Sequence, residues 1–422
     1  MRPAKLIEKA VSIKDETLSV SGERFTLHPG RRIWVIGSGK AAAPMAAALE
    51  QRLGNRIADG IVLCAVSTSQ KLKRIQQFET THPLPSDGNI AATMELLSFV
   101  KGIPSGDIVF YLLSGGSSAM LCLPGGDLEL EDLTITGKLL LESGADIHEM
   151  NVVRKHLSAV KGGQLLGHMA GRTVIDLVLS DVPGDSLEAI GSGPTTPDSS
   201  TFSQARSILT ARNLWDKIPA AVRDHIEKGC SGEISETPKP GSISEQGHFQ
   251  FILGSAGVLA KRVAAELTNA GYNCLVDDAA YSGDVKAMAR KMAGDAISIL
   301  SRNDPVAKPA ARVYFGESTV NVTGNGKGGR NQELALATCL AVEGQHHITM
   351  LSAGTDGRDG PTDAAGAIST ANTALLARKQ GIQPETHLSD NDSYRFFSVL
   401  GDLLITGPTG NNLMDLQIVL ID

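Results

Sequence analysis

Short apolar runs alternate with helical stretches along the whole chain. In the first half, these runs are rich in β-branched residues, and they read RIWVIG, GIVLCAV, DIVFYLLS and TVIDLVLS. Strands that are apolar on both faces and alternate with helices predict a mostly parallel sheet covered by helices on both sides. The fold class predicted for this half is therefore α/β.

A second α/β series follows a polar segment rich in Ser, Gly, Glu and Pro. Its apolar runs read FQFILG, GYNCLV, ARVYFGESTVNV and ITMLSAG, and they are followed by DLLITG and LQIVLI. The Gly- and Asn-rich turn between the last two runs predicts a hairpin. A chain of 422 residues is long enough for two cores. We predict an N-terminal domain over 1–235, a linker over 236–248 and a C-terminal domain over 249–422.

Composition excludes several classes of protein. Lys and Arg number 39 against 46 acidic residues, giving a net charge of −7 without a basic run, so nucleic-acid binding is not predicted. The five cysteines form no CxxC pair, which is typical of reduced thiols in the cytoplasm. No apolar segment has the length of a signal peptide or a membrane helix. The sequence thus predicts a cytoplasmic protein without a membrane partner.

The first glycine loop lies at a strand-to-helix turn. Gly37, Gly39 and Ala42 match a GxGxxA pattern that is typical of dinucleotide binding. That pattern also expects an acidic residue about 20 positions on, whereas the next strand runs into Ser67–Ser69. Lys40 instead stands in the first helical turn, where backbone amides and the helix dipole favour an anion. Phosphate binding is the prediction, and a solvent-facing lysine is the alternative.

A second glycine loop, in the stretch NVTGNGKGGRNQELALA, carries more charge. Glycines permit close backbone approach, successive amides can form an anion-binding nest, and arginine supplies a bidentate fork. A hairpin tip would explain the glycines but not the cations beside a helix start. We therefore predict phosphate binding here, in a pocket lined by one polar face of the preceding strand. The residues are Glu317, Thr319, Asn321, Gly324, Gly326, Lys327, Gly329, Arg330 and Asn331.

Two further segments of the first half carry polar candidates. The loop after the third strand is a second predicted nest for phosphate or carboxylate, with an ordinary turn as the alternative, and it contains Ser114, Gly115, Gly116, Ser117 and Ser118. Residues 146–167 predict one helix that starts with a capping box at Asp146 and Glu149. Its polar face carries Asn151, Arg154 and Lys155. Gly162 and Gly163 are unfavourable inside a helix and indicate close approach of another group.

Acidic residues follow strands in two places. Asp181 and Asp185 lie in VLSDVPGDS, and Asp356, Asp359 and Asp363 lie in SAGTDGRDGPTDAAGA. The second segment lacks the ligand spacing of an EF-hand. The aspartates are candidates for Mg²⁺ binding or proton transfer, although turn chemistry is an alternative for many of them. The sequence contains no Walker loop and no protein-kinase motif set.

As a set, eight segments resemble the glycerate 2-kinases with a C-terminal MOFRL domain, a family often labelled hydroxypyruvate reductases. They are GSGKAAAPM, LLSGGSSAML, MNVVRKHLSAVKGGQL, LSDVPGD, GSGPTTPD, GESTVNVTGNGKGGRNQELAL, SAGTDGRDGPTDAAGA and TGPTGNNLMDL. The resemblance implies a Rossmann-like N-terminal domain and a smaller mixed α/β C-terminal domain. It also implies phosphorylation of D-glycerate to 2-phosphoglycerate with ATP and Mg²⁺, in a cleft between the two domains.

The resemblance also suggests roles for individual residues. Lys40 and Arg330 are expected to be the central cations. Asp181 and Asp356 are candidates for holding Mg²⁺ or for orienting the C2 hydroxyl, and Asp181 is the predicted catalytic carboxylate. The remaining predicted binding residues are the glycines, serines and polar side chains named above, together with Thr355. A monomer or homodimer is expected. The alternatives are an NAD(P)H-dependent hydroxypyruvate reductase and a non-catalytic nucleotide- or metabolite-binding protein.

Overall fold

The computed structural model describes residues 2–65, 72–242, 247–410 and 412–422. The chain divides into two compact units, Pro3–Leu253 and Gly254–Asp422. We call them the N-terminal and C-terminal units and describe each by itself. No helix in the described part of the chain has the length and apolar character needed to cross a bilayer.

The N-terminal unit opens with a helix and a small antiparallel sheet. These elements are α1 (Pro3–Ala10), β1 (Val11–Lys14), β2 (Thr17–Val20) and β3 (Glu23–Thr26). Strand β2 pairs with both neighbours, and Asp15 and Ser21 take positive φ at the two turns. The sequence analysis did not predict this sheet, because the charged residues of the opening hide the short alternation of its strands.

The main sheet of this unit is largely parallel. Its strands are β4 (Ile33–Ser38), β5 (Ile57–Cys64), β6 (Ile75–Glu79), β7 (Ile108–Ser114), β8 (Thr173–Leu179) and β9 (His248–Gly254). The spatial order is β6-β5-β4-β7-β8-β9, and the pairs from β6 to β8 are parallel. This is the order of the dinucleotide-binding fold, with a topological switch point between β4 and β7. The predicted parallel α/β architecture is confirmed.

Helices cover this sheet and form a second core beside it. They are α2 (Ala42–Leu53), α3 (Asp87–Gly102), α4 (Ser117–Met120), α5 (Leu130–Glu142), α6 (Ile147–His156), α7 (Gln164–Gly167), α8 (Phe202–Ala211) and α9 (Ala220–Ser231). Short 3-10 turns occur at Gly54–Arg56, Pro183–Asp185 and Ile190–Ser192. The sheet core contains Ile36, Tyr111 and Val178. Helices α6, α8 and α9 bury Val153, Phe202 and Ile226 together.

Strand β9 lies in the N-terminal sheet, whereas FQFILG was expected to open the second series. The reason is a buried acid on β8. The Asp176 carboxylate oxygen Oδ2 lies 2.9 Å from His248 Nε2 and accepts hydrogen bonds from Gln250 Nε2 at 2.9 Å and Thr195 Oγ1 at 2.6 Å. Position 249, where the second domain was expected to start, therefore lies inside a strand that is anchored to β8.

The predicted helix over 146–167 is interrupted. Its capping box is present, with Asp146 and Glu149 each accepting the other's backbone amide. Helix α6 nevertheless ends at His156, and Gly162 and Gly163 take positive φ of 58° and 82°. These glycines donate their amides to the carbonyls of Ser192 and Gly193. They form a turn against that loop and do not lie inside a helix.

The C-terminal unit contains a mixed sheet. Its strands are β10 (Asn273–Val276), β11 (Tyr281–Asp284), β12 (Ala310–Thr319), β13 (Ile348–Gly354), β14 (Gly366–Thr370), β15 (Leu403–Leu404) and β16 (Asp415–Ile421). Its helices are α10 (Ala256–Asn269), α11 (Val285–Arg302), α12 (Arg330–Ala341), α13 (Thr373–Lys379), α14 (Pro384–Ser389) and α15 (Ser393–Leu400). Helices α11 and α12 share a core with this sheet that includes Met292, Leu334 and Val419.

The last two strands do not form the predicted hairpin. Strand β15 pairs with β14, while β16 lies between β12 and β13 and is antiparallel to both. Burial explains the difference, because alternate residues of β16, including Val419 and Ile421, lie in the core. A strand with two long neighbours buries more apolar surface than the tip of a hairpin.

Replacing Asp176 with alanine should destabilise the N-terminal unit. The change leaves Thr195, His248 and Gln250 without their shared acceptor in a buried environment, which should cost about 3 kcal/mol. Urea unfolding followed by circular dichroism would measure the loss. The exposed Asp216→Ala is the control, and equal midpoints for the two variants would contradict this role of Asp176.

Candidate active site

Two backbone loops touch at the switch point of the parallel sheet. Gly39 has a φ of 121°, and a Cβ at this position would lie 2.4 Å from the carbonyl oxygen of Ser114. Lys40 N donates to Gly115 O at 2.9 Å, and Ala41 N donates to Ser114 Oγ at 3.0 Å. Only glycine at position 39 allows this approach without strain. The predicted loops at 37–40 and 114–118 are thereby brought together.

Lys40 stands just before α2, one residue ahead of the N-cap Ala41 and not in the first helical turn, and its side chain is exposed. Its anion-binding role stays a prediction. The Asp181 carboxylate covers Gly115, where a Cβ would lie 2.0 Å from Asp181 Oδ2. Burial raises the pKa of Asp181, and a backbone hydrogen bond and the Lys40 charge oppose that rise. Burial and the Lys40 charge both lower the pKa of His82. Lys40, Asp181 and His82 therefore form one electrostatic group around Gly115.

The serines of the loop have different surroundings. Ser117 is buried, and its hydroxyl lies 2.5 Å from Ser38 Oγ, which is 2.7 Å from the Tyr111 hydroxyl. Ser118 lies 3.0 Å from Ser192 Oγ. Gly116 takes a left-handed φ of 83° at the start of α4. Ser117 therefore packs into the protein, whereas the half-buried Gly115, Gly116 and Ser118 lie nearer the surface.

The three predicted residues of α6, Asn151, Arg154 and Lys155, also have different surroundings. Asn151 accepts a hydrogen bond from Ser192 Oγ at 3.1 Å. Lys155 is buried and pairs with Asp198 at 3.1 Å and Glu188 at 3.4 Å. Although burial favours the protonated acid, the charge of Lys155 contributes to a lowered pKa of Asp198. Because its charge is already paired inside the unit, Lys155 has a structural reason for its position that the sequence analysis missed.

Arg154 has no such partner. Among the described residues, no hydrogen-bond acceptor or carboxylate is paired with its guanidinium, and burial lowers its pKa. Its side chain lines a cavity of about 550 Å³ that also reaches Gly116 and Ser118. Arg154 therefore remains a candidate binding residue.

The backbone amides of the second glycine loop donate to side-chain oxygens of the protein itself. Thr323 and Gly324 donate their amides to Asn391 Oδ1, while Asn325 and Lys327 donate theirs to the carboxylates of Asp390 and Asp392. A Cβ on Gly324 would lie 2.3 Å from Asp390 O, and one on Gly326 would lie 2.4 Å from Asp392 Cβ. The predicted nest is thus occupied by acceptors of the turn at 390–392. A phosphate contact of Gly324, Gly326 or Lys327 stays a prediction.

The N-terminus of α12 is also held by a protein carboxylate. Asp359 accepts the amides of Asn331 at 3.0 Å and Gln332 at 2.8 Å. Gly329 leaves room for it, because a Cβ there would lie 2.3 Å from Asp359 Cγ. Burial raises the pKa of Asp359, and the two amides oppose the rise. Asp359 therefore occupies the helix start where phosphate was predicted, and a phosphate contact of Gly329 or Asn331 stays a prediction.

Arg330, the first residue of α12, is fixed by two acids. Its Nε and Nη2 donate to the two carboxylate oxygens of Asp415 at 2.6 and 3.0 Å, and Nη2 also donates to Glu317 at 2.8 Å. Although burial lowers it, these carboxylates raise the pKa of Arg330 overall, so the guanidinium stays charged. Sequence reasoning missed Asp415, for which the signal was an acid at the start of an apolar strand.

Other predicted residues of the C-terminal unit are engaged locally. Thr355 donates to Met414 O at 2.7 Å, and Asp356 accepts the Arg358 amide at 3.0 Å. The Lys327 ammonium lies 4.6 Å from the ring centre of Tyr394. Asn331 is buried and accepts a hydrogen bond from Ser352 Oγ at 2.8 Å. These contacts position the side chains, and their binding roles stay predictions.

The predicted Mg²⁺ ligands do not form a closed metal cage. Within the described residues, no group of three or more His, Cys, Asp and Glu side chains is arranged to hold a metal ion. Mg²⁺ that accompanies substrate phosphates usually needs only one or two protein carboxylates and keeps several waters. Asp181 in the N-terminal unit and Asp356 in the C-terminal unit each have a half-buried carboxylate, and their metal roles stay predictions.

Comparison with known proteins decides the family. Residues 1–227 match a family described as a domain of unknown function (DUF4147), and residues 310–415 match the MOFRL family. A Pyrococcus horikoshii protein named glycerate 2-kinase is 38% identical, over 99% of this chain and 93% of its own length. The chain belongs to the glycerate 2-kinase family.

Two other family members fit this assignment. An Agrobacterium vitis relative named putative hydroxypyruvate reductase is 36% identical, over 99% of this chain and 93% of its own length. A crystal structure of glycerate kinase from Thermotoga maritima is 35% identical, with a TM-score of 0.88 over 100% of this chain and 96% of that chain. The family and fold predicted from the sequence are confirmed.

Removing the Asp359 carboxylate should loosen the start of α12. Asp359→Ala leaves two buried helix amides without acceptors and should cost about 2 kcal/mol. The exposed cap of α11 offers a matched comparison, since Asp284 accepts one amide, from Ala287, and Asp284→Ala should cost about 1 kcal/mol. Thermal unfolding would rank the two variants, and a smaller effect at Asp359 would contradict its assigned role.

Proposed function

We propose that this protein transfers the γ-phosphoryl group of ATP to the C2 hydroxyl of D-glycerate, giving 2-phosphoglycerate and ADP. The observation that carries the proposal is the group at the switch point, where the charge of an exposed Lys40 acts on Asp181, whose carboxylate covers Gly115. Relatives named glycerate kinase support the choice of acceptor. The proposal requires one nucleotide and one small hydroxy acid. The predicted cytoplasmic location and the monomer or homodimer state stay predictions.

Phosphoryl transfer depends mainly on alignment and on stabilisation of charge at the transferring group. In our proposal, Lys40 supplies a point charge at the switch point, where ligands of open parallel sheets bind. The start of α2 adds the positive end of the helix dipole, while the amides of Lys40, Ala41 and Ala42 are bonded to protein acceptors. Because the transition state is loose, orientation of the acceptor hydroxyl matters more than its early deprotonation.

Arg330 is suited to the same chemistry because its neighbours bind only one edge of its guanidinium group. Its Nε and Nη2 are held by Asp415 and Glu317, while no acceptor in the described part of the chain is paired with Nη1. The side chain is 36% exposed. A guanidinium fixed on one edge and open on the other can present a donor to a phosphate oxygen with little loss of side-chain entropy.

Mg²⁺, when bound with the nucleotide, would neutralise phosphate charge, and the carboxylate of Asp181 or of Asp356 is proposed as its protein ligand.

A hydroxypyruvate reductase is the second candidate, favoured by the GxGxxA loop, by the dinucleotide-type strand order and by the name of the Agrobacterium relative. Against it, Ser67–Ser69 stand where the ribose acid is expected in the sequence. These three residues lie outside the described residues.

The purified protein should release ADP from Mg²⁺-ATP only when D-glycerate is present. A pyruvate kinase and lactate dehydrogenase couple would follow the release, with L-glycerate as the acceptor control. Oxidation of NADH by hydroxypyruvate, measured without ATP and without the coupling enzymes, would favour the reductase. Binding of ADP without turnover on any hydroxy acid would favour a sensor.

Arg330→Ala should lower kcat by about 10²-fold or more, the range seen when a donor to transition-state charge is removed. Arg378→Ala is a matched control, because Arg378 also pairs with two acids of the C-terminal unit, Glu343 and Glu385. It should leave kcat near the wild-type value. Arg330→Lys should recover part of the loss, since lysine keeps the positive charge but lacks the bidentate guanidinium group. Wild-type kcat in Arg330→Ala would remove Arg330 from the chemistry.

A further inference from the structure

A cavity of about 550 Å³ lies within the N-terminal unit, beside the loop that carries Gly116 and Ser118. Much of its wall is apolar and comes from α5, α6 and the segment before α3, including Leu84, Leu133, Leu141, Met150 and Val153. Its volume is in the range of about 300–1,000 Å³ that is typical of pockets for drug-sized ligands. A three-carbon hydroxy acid would leave most of the apolar wall uncovered.

Three polar groups in this cavity have incomplete pairing. Arg154 has no partner among the described residues. The Thr136 side chain is buried, and its hydroxyl has no hydrogen-bond partner in the described part of the chain. The Lys161 ammonium, also buried, donates to the carbonyl oxygen of Leu121 at 3.0 Å. Buried polar groups normally have partners, so these three point to a ligand that supplies acceptors.

The charge of the cavity favours an anion. Arg154 and Lys161 line it, and no Asp or Glu among the described residues does. Burial lowers the pKa of Lys161 to about 8, a cost that a bound anion would offset by favouring the ammonium form. The ligand therefore needs an apolar body, hydrogen-bonding groups and negative charge.

The cavity is adjacent to the switch-point group. His82, Gly116 and Ser118 line it, a Cβ on Gly116 would lie 3.0 Å from the His82 ring, and a Cβ on the adjacent Gly115 would lie 2.0 Å from Asp181. A ligand in the cavity therefore lies beside His82, which belongs with Lys40 and Asp181 to the switch-point group.

We propose that this cavity is the nucleotide site: the base and ribose of ATP or ADP occupy it, Arg154 and Lys161 pair with the phosphates, and Thr136 bonds the nucleoside. The inference rests on the proposed kinase function and assigns the position of one of its two substrates. Of the two, the nucleotide has the size, the apolar base and the charge that the cavity requires.

Gly137 provides a direct test, because it lies on α5 and lines the cavity. A Cβ there would meet no described atom within 4 Å apart from its own helix backbone, so Gly137→Phe should fill the cavity, and replacing a helical glycine should not weaken the fold. Gly294→Phe is the matched control, since Gly294 is an exposed helical glycine with equally open surroundings on α11.

Calorimetric titration of ADP measures binding without turnover. Gly137→Phe and Arg154→Met should each raise the Kd of ADP by about tenfold or more, Gly294→Phe should leave it unchanged, and Arg154→Lys should recover part of the loss. The KM for D-glycerate should change by less than about twofold in Gly137→Phe, because the acceptor does not occupy the cavity.

Two results would overturn the assignment. Unchanged ADP binding in Gly137→Phe together with a raised KM for D-glycerate would make the cavity the acceptor pocket. Unchanged values of both would mean that neither substrate enters it. The titration remains decisive if the wild-type protein shows no glycerate-dependent turnover, since that result rejects the kinase proposal while ADP binding still reports on the cavity.

Discussion

The carboxylate of Asp359 holds the start of α12 and so determines the position of Arg330 in the C-terminal unit. It accepts the backbone amides of Asn331 and Gln332, and it can come this close because Gly329 has no side chain. The helix start that would otherwise attract a free anion already holds a buried one. Arg330, as the first residue of this helix, is set in place by that contact. Its bidentate pair with Asp415 then fixes the direction of the guanidinium.

The two glycine loops have different structural roles. At Gly39 the missing side chain lets two strand ends touch, which leaves the Lys40 side chain exposed beside Asp181. At Gly324 and Gly326 the missing side chains admit the turn at 390–392, whose side chains take up the loop amides. The first loop thus presents a cation at a sheet edge where ligands bind. The second is part of the scaffold that carries Arg330.

Local patterns in the sequence predicted β4, β5, β7 and β8 of the parallel sheet but not β6, and they predicted the capping box at Asp146 and the helix that follows the second glycine loop. These features depend on neighbouring residues, so a single sequence contains the information. The partners of the site residues are distant in sequence. Asp198 pairs with Lys155, and Asp415 with Arg330, and no local pattern indicates either contact. Strand β9 was assigned to the wrong sheet for the same reason, since its anchor is Asp176 on β8.

The central claim is transfer of phosphate to the C2 hydroxyl of D-glycerate. The most direct test is to stop the reaction of the purified protein with Mg²⁺-ATP and D-glycerate, remove the protein, and add enolase without phosphoglycerate mutase. Our account predicts immediate formation of phosphoenolpyruvate, because 2-phosphoglycerate is the substrate of enolase. Glycerate-dependent ADP with phosphoenolpyruvate only after addition of the mutase would show phosphorylation at C3 and contradict the account.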